Sequence, residues 1–202
     1  MVIILVGLFS GSVLAKGGIQ ELTSPDNNIK VRIELADKIF YSISANNTLL
    51  TEKSYLELQL KDQTLGENPR LSAKKYSSIN EQINREIPLR NAVVDNHCNV
   101  LLLKFKGNYS VEFRAYNDGV AYRFITNMGD KNIEVLDEEV HLQFPSTFDA
   151  VLSPTRSFKT SYEISYVESN TADASELDKS TLPILIDSKQ HHKILFSTFP
   201  SL

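Results

Sequence analysis

The chain has no tryptophan and a single cysteine, Cys98. One thiol excludes an intramolecular disulfide, so no cysteine framework holds these 202 residues together. Tryptophan often provides the flat face on which sugars stack, and its absence removes that platform. Basic residues are scattered and the net charge is −4, so there is no electrostatic footprint for nucleic acid. No apolar run is long enough for a comfortable transmembrane helix. No amphipathic helix of ordinary length is visible, nor any internal repeat, low-complexity tract or interdomain linker. The motifs of common chemistries are missing too: no Gly-x-Ser-x-Gly elbow, no phosphate-cradling glycine loop, no His-Glu-x-x-His.

What remains is ordinary for a globular chain, with 42% apolar and 23% charged residues. The length fits one domain, or one domain plus a leader, and a chain of this size buries roughly 70% of its unfolded surface. Residues 2–9 are apolar apart from Gly7 and run through Ser10-Gly11-Ser12 into Val13-Leu14-Ala15. This resembles the apolar region and small-residue end of a secretory signal peptide. Nothing basic precedes Val2, so the leader reads as incomplete. The competing reading is a buried strand. The expectation is an exported, periplasmic protein whose residues 1–15 are removed near Ala15, leaving a β domain over 16–202.

Residues 111–124 organise the rest. Val111, Phe113 and Ala115 alternate with Glu112, Arg114 and Tyr116; after Asn117-Asp118-Gly119, Val120, Tyr122 and Phe124 alternate again. Two period-2 runs around Asp-Gly are a strong hairpin signal, with Gly119 expected to supply positive φ. Arg114 and Arg123 fall on the face opposite the apolar set. Similar alternation predicts strands at 29–35, 39–45, 55–60 and 100–105, with turns at 24–28, 37–38 and 46–47. Further strands are expected at 133–136, 140–144, 158–166, 182–186 and 194–199. Residues 71–77 are a weaker strand candidate. Residues 79–88 read as a surface excursion with room for one helical turn, and 168–179 as a loop. About ten short strands with short turns make an antiparallel β-sandwich.

Candidate chemistry is sparse. His191-His192 is the nearest approach to a metal motif, but adjacent turn residues point apart. His97 and His141 are isolated. Cys98 follows His97, yet it opens the apolar run 100–103 and reads as a small core residue. Asp137-Glu138-Glu139 is an acidic cluster without the alternating ligands and glycine of a calcium loop, and reads as a solvated connection between strands. Asn46-Asn47-Thr48 and Asn108-Tyr109-Ser110 match the glycosylation pattern, which matches often by chance.

Four stretches share one resemblance. Ser24-Pro25-Asp26, the strand at 29–35 and Tyr41-Ser42-Ile43-Ser44 form one block. Leu58-Gln59-Leu60-Lys61-Asp62 followed by Leu65-Gly66 is a second. Phe113 through Phe124 is the most specific, and Leu182-Pro183-Ile184-Leu185-Ile186 is the fourth. Together they resemble the N-terminal domain of glycoside hydrolase family 97, over roughly residues 21–197. The resemblance implies an all-β, antiparallel super-β-sandwich of galactose-mutarotase-like type. It also implies a multidomain exported enzyme, known chiefly from Bacteroidetes, acting on α-glucosides or α-galactosides. Its (β/α)8 barrel carries the catalytic acids and most ligands of an active-site calcium, and a small C-terminal β domain follows.

In that family the sandwich contributes one calcium-ligating Glu within Leu-Phe-Ser-Glu-x-Asp-Leu. Here Leu195-Phe196-Ser197 matches and Thr198 stands in the Glu position. A hydroxyl is a much weaker ligand for a hard dication than a carboxylate. The resemblance therefore implies no catalytic residue and no metal ligand in this chain, and it names no carbohydrate-binding residue. It also reads the chain as truncated at its C-terminal end. Three functions compete: the non-catalytic sandwich of an α-glycosidase, a stand-alone carbohydrate-binding module using some of its 8 Tyr and 10 Phe, and a mutarotase-like epimerase built on His97 or His141. The first leads to three expectations: no glycoside hydrolysis by this chain, no tight calcium binding, and an uncovered apolar surface where a barrel packs.

Overall fold

The computed structural model describes residues 18–87, 91–129, 132–155, 157, 159, 161, 163–174, 179–189 and 192–197. In chain order the strands are β1 (Gln20–Thr23), β2 (Ile29–Leu35), β3 (Ile39–Ala45), β4 (Thr48–Leu60), β5 (Thr64–Leu65), β6 (Leu71–Asn84) and β7 (Val93–Phe105). Then come β8 (Tyr109–Tyr116), β9 (Val120–Thr126), β10 (Val135–His141), β11 (Asp149–Pro154), β12 (Val167–Asn170), β13 (Ser180–Asp187) and β14 (Lys193–Phe196). A single helical turn, α1 (Thr171–Ala174), follows β12.

All pairing is antiparallel, in three sheets. The first has the order β1-β2-β3-β4-β10, with β5 on the β4 edge beyond the end of β3. The second is β6-β7-β8-β9 and the third β12-β11-β13-β14. Alternation decides which face is buried. Val31, Ile33 and Leu35 of β2 and Ile39 and Tyr41 of β3 point inward from the first sheet. Leu101, Leu103 and Phe105 of β7 and Val111, Phe113 and Ala115 of β8 point inward from the second. Their side chains interdigitate as in a sandwich. Tyr41 crosses the gap to Phe113, with ring centroids 6.2 Å apart, and to Tyr122 at 6.5 Å. Burial pushes the Tyr41 and Tyr122 hydroxyls well above the ordinary tyrosine value. The third sheet has its own smaller core of Phe148, Ala150, Leu152 and Ile186.

Turn chemistry explains the register. Asn46 and Asn47 both take positive φ, 49° and 65°, and join β3 to β4 in a two-residue loop matched to the strand twist. The Ser24 hydroxyl donates to Asp26 Oδ1 at 2.5 Å and accepts the Ile29 amide at 2.9 Å, closing the turn before β2. The 111–124 hairpin forms as expected, pairing Ala115 with Val120. Its glycine does not act as expected. Gly119 lies outside the positive-φ region, and the loop closes through the Tyr116 amide donating to the Gly119 carbonyl at 2.8 Å.

Several expectations are corrected. Residues 79–84 form strand rather than a helical turn, because β7 offers them a continuous ladder from Ile79↔Cys98 to Asn84↔Val93. Their exposure on both faces removed the alternation that would have revealed this. The separate strands expected at 133–136 and 140–144 are one strand, β10, with a register shift between Val135 and Asp137. The loop expected at 168–179 begins as β12 and continues into α1, whose first turn is capped by Asn170 Oδ1 accepting the Ala172 amide at 2.9 Å. Of the strand expected at 158–166, residues 158, 160 and 162 lie outside the described residues. Residues 163–166 are not strand, and Ile164 and Tyr166 are exposed.

Candidate functional site

The outer face of the first sheet brings several aromatic, basic and acidic side chains together. Phe40, Tyr55 and His141 are cross-strand neighbours on β3, β4 and β10, so the register lines them up. Tyr55 and His141 stack at 4.5 Å with an interplanar angle of 8°. Phe40 meets Tyr55 edge-on at 6.2 Å. Lys38 Nζ sits 3.7 Å from the Tyr55 ring centroid and donates to Glu57 Oε2 at 2.8 Å. Lys53 Nζ sits 4.1 Å from the Phe40 centroid and donates to Glu34 Oε1 at 3.0 Å. The Tyr55 hydroxyl donates to Glu139 Oε1.

These contacts settle an electrostatic problem. Glu57 and Glu139 are directly opposite each other on β4 and β10, and like charges at that spacing repel. Lys38 pairs its charge with Glu57, and the uncharged Tyr55 hydroxyl donates a hydrogen bond to Glu139. The Glu57 hydrogen bond raises the Lys38 pKa, against some loss of hydration. The bond to Glu139 raises that of Tyr55, which therefore stays a donor. Beside the row lies a cleft of about 400 Å³ whose walls include Asp37, Lys38, Glu57, Glu67, Asp137 and Glu139.

The acidic triplet is split by the pleat. Asp137 and Glu139 face the cleft, while Glu138, also exposed, lies on the other face of the strand and accepts the Tyr122 hydroxyl at 3.3 Å. It is solvated as expected, all three side chains being exposed, but it is part of strand β10 rather than a connection, since Asp137↔Gln59, Glu138↔Leu58 and Glu139↔Glu57 are ladder pairs. Among the described residues, no three or more His, Cys, Asp or Glu side chains converge as a metal site. Thr198 and His191 lie outside the described residues. His192 is half-buried, its amide donating to Ser188 Oγ at 3.1 Å.

The two remaining histidines are not brought together. His97 is exposed on β7 opposite Asn80, in the second sheet, whereas His141 belongs to the first. Cys98 is fully buried, and the pleat turns it away from His97. It lies between Ile79 and Tyr116 on the face with Asn96 and Val100, opposite to the main core. On that same face Glu112 holds two cations, Arg114 Nε and Arg123 Nη2, each at 2.9 Å.

Sequence reasoning missed the Phe40–Tyr55–His141 row because its members are far apart in the chain and become neighbours only through strand register. Carbohydrate platforms need open aromatic faces. Here His141 covers one side of Tyr55, and Lys38 and Lys53 lie over the Tyr55 and Phe40 rings. The ring faces of the row are therefore covered largely by its own neighbours, while the buried His141 Nδ1 has no hydrogen-bond partner among the described residues.

A second surface is unlike the first. In the third sheet Ala150, Ile186 and Ile194 line the buried face, and Val151, Leu185 and Leu195 line the other. Val151 and Leu185 are partly exposed and Leu195 is 65% exposed. This sheet is apolar on both faces but covered by its own chain on one.

Comparison with known proteins locates this architecture. The family model described as Glycosyl-hydrolase 97 N-terminal matches residues 22–197. A retaining alpha-galactosidase from Bacteroides thetaiotaomicron is 33% identical over 183 residues, covering 86% of this chain and 27% of that protein. Among solved structures, a glycoside hydrolase family 97 enzyme from Pseudoalteromonas sp. strain K8, in complex with acarbose, has a TM-score of 0.70 at 24% identity. It covers 84% of this chain and 27% of its own. A beta-arabinopyranosidase has a TM-score of 0.78 at 22% identity, with 87% and 31% coverage. The last two show the shared fold. This chain thus spans about a quarter of the length of the curated relative, and it belongs to the glycoside hydrolase family 97 N-terminal domain family.

Proposed function

We propose that this sandwich is the non-catalytic N-terminal unit of an exported α-glycosidase, packing against a catalytic barrel and helping to close its sugar-binding active site. The carrying observation is the Val151–Leu185–Leu195 row. Antiparallel sheets with one solvated face alternate apolar and polar residues, whereas sheets apolar on both faces are covered on both. An uncovered apolar row of this kind marks a partner surface. The acids for glycoside cleavage belong to the barrel, because cleavage requires two carboxylates placed across one bond. Of the carboxylates along the acidic cleft, Glu57 holds Lys38 and Glu139 holds the Tyr55 hydroxyl instead. Calcium and the α-glucoside or α-galactoside are bound mainly by the barrel in this reading.

The test uses the purified chain with aryl α-glucoside and aryl α-galactoside, with and without calcium. No turnover is expected. Calcium-dependent turnover that survives repurification overturns the non-catalytic reading. In parallel, Leu195→Asp should lower binding of a hydrophobic dye to the chain without changing its circular dichroism. Unchanged dye binding refutes the assignment of the docking face.

A further inference from the structure

The β6 edge of the second sheet carries a separate message. β6 is 14 residues long and pairs with β7 on one side along nearly its whole length. Among the described residues no strand pairs with its other side. At a rise of about 3.4 Å per residue that free edge is about 45 Å long, a ready template for another strand. It contains no proline, and its register shift lies at the Leu71 end, so 73–84 is regular. Residues 72–78 and 80–84 are exposed, including Tyr76 at 49% and Ile83 at 46%.

Edge strands are commonly guarded by lysine. Here Lys74 is drawn back to Gln20 Oε1 at 2.7 Å, which leaves Lys75 as the guard. The other charge on the strand is Glu81, whose Oε1 accepts the Asn96 amide at 2.7 Å while the side chain stays at the surface.

A second copy can add to this edge antiparallel only about a two-fold axis perpendicular to the sheet, because facing residues must share a face. Every permitted register therefore centres on one residue paired with its own copy. Centring on Lys74 or Lys75 stacks lysine on lysine, and centring on Glu81 stacks glutamate on glutamate. Centring on Ser77 or Ile79 leaves both charges facing neutral residues. Centring on Ser78 sets Lys75 opposite Glu81 of the second copy, and the symmetry repeats the pair. The same register sets Ala73 opposite Ile83 and Tyr76 opposite Asn80, without like charges facing each other.

We propose that two copies of this chain associate through their β6 edges, antiparallel and centred on Ser78. The resulting eight-stranded sheet satisfies the open backbone groups of both edges, and the Lys75–Glu81 pairs select the register. This interface is separate from the Val151–Leu185–Leu195 row, so it leaves that face open.

Sedimentation velocity across a concentration series tests this on the full chain carrying Leu195→Asp, which removes association through the other face. A concentration-dependent dimer is expected. Lys75→Glu alone and Glu81→Lys alone each place like charges across both symmetric positions and should weaken it at least about tenfold. The double swap Lys75→Glu with Glu81→Lys should restore it. Because Cys98 is buried, Ser78→Cys gives an independent readout. Under mild oxidation it should form a disulfide-linked dimer faster than Gln82→Cys, which this register places away from its own copy. A monomer at all concentrations, single swaps without effect, or equal crosslinking at 78 and 82 overturns the proposal.

Discussion

Alanine at Gly66 should be among the most damaging single-methyl changes in this protein. Gly66 follows β5 with φ at +97°, and a Cβ there would stand 2.4 Å from the Leu56 carbonyl oxygen and 3.4 Å from Glu57 Cα. Both are backbone atoms of β4, the strand that joins β3, β5 and β10, so neither can swing aside as a side-chain tip would. The left-handed conformation costs an L-residue about 1–2 kcal/mol, and forcing extra volume into a packed site adds about 1–3 kcal/mol. The shift needed to relieve the clash also strains the 3.3 Å bond from the Gly66 amide to the Tyr109 hydroxyl. The total of about 2–5 kcal/mol is a large fraction of a typical 5–15 kcal/mol stability. At about 2–4 °C per kcal/mol it lowers Tm by about 4–20 °C. Gly119→Ala is the control, because its φ is not positive and a Cβ there meets nothing within 4 Å. It should be neutral or stabilising by up to about 1 kcal/mol through the unfolded chain. With no tryptophan to report, urea and thermal unfolding are followed by far-ultraviolet circular dichroism. Equal destabilisation by the two substitutions, or a Gly66→Ala loss below about 1 kcal/mol, refutes the close-approach argument.

Other outcomes are as specific. Phe113→Ala empties a side chain 1% exposed at the centre of the main core and should cost about 3–5 kcal/mol in urea unfolding, against under about 1 kcal/mol for an exposed position such as Tyr76→Ala. Glu112→Gln removes the anion shared by Arg114 and Arg123 and should cost about 1–3 kcal/mol, a loss that shrinks as salt is raised. The Asp26 carboxyl lies below its ordinary value, drawn down first by the Ser24 hydroxyl and then by the Asn28 amide. A depressed carboxylate contributes stability above its unfolded pKa and loses it as pH falls through the folded value. Melting curves of the chain and Asp26→Asn should therefore differ at neutral pH and converge in acid below the ordinary value of 3.8. Isothermal titration with calcium should show no tight site, and Asp137→Asn should leave the trace unchanged.

The parts of this fold that were legible in the sequence have one wet face and one dry face. β2, β3, β8 and β9 alternate cleanly, and their turns carry Asn and Asp where the backbone bends. β11 escaped notice because Ala150, Leu152 and Ser153 are all buried, so no alternation survives in Asp-Ala-Val-Leu-Ser-Pro. The second half of β6 escaped for the opposite reason, being exposed on both faces. Functional groups follow the same logic. Neighbours in sequence, such as His97 and Cys98 or Asp137 and Glu138, are separated by the pleat. The members of the Phe40–Tyr55–His141 row meet through register, which composition does not encode.

The unequal cores have a dynamic consequence. Among the described residues, sixteen buried apolar side chains drawn from two sheets fasten the main sandwich, whereas four fasten the third sheet. Opening the third sheet exposes far less apolar surface, so its amides should exchange with solvent through a local event of low free energy while those of β7 and β8 wait for global unfolding. A partner covering Val151, Leu185 and Leu195 would slow exchange in β11, β13 and β14 and leave the sandwich amides as they were. Amide exchange in the third sheet would thus give a direct gauge of docking on that face.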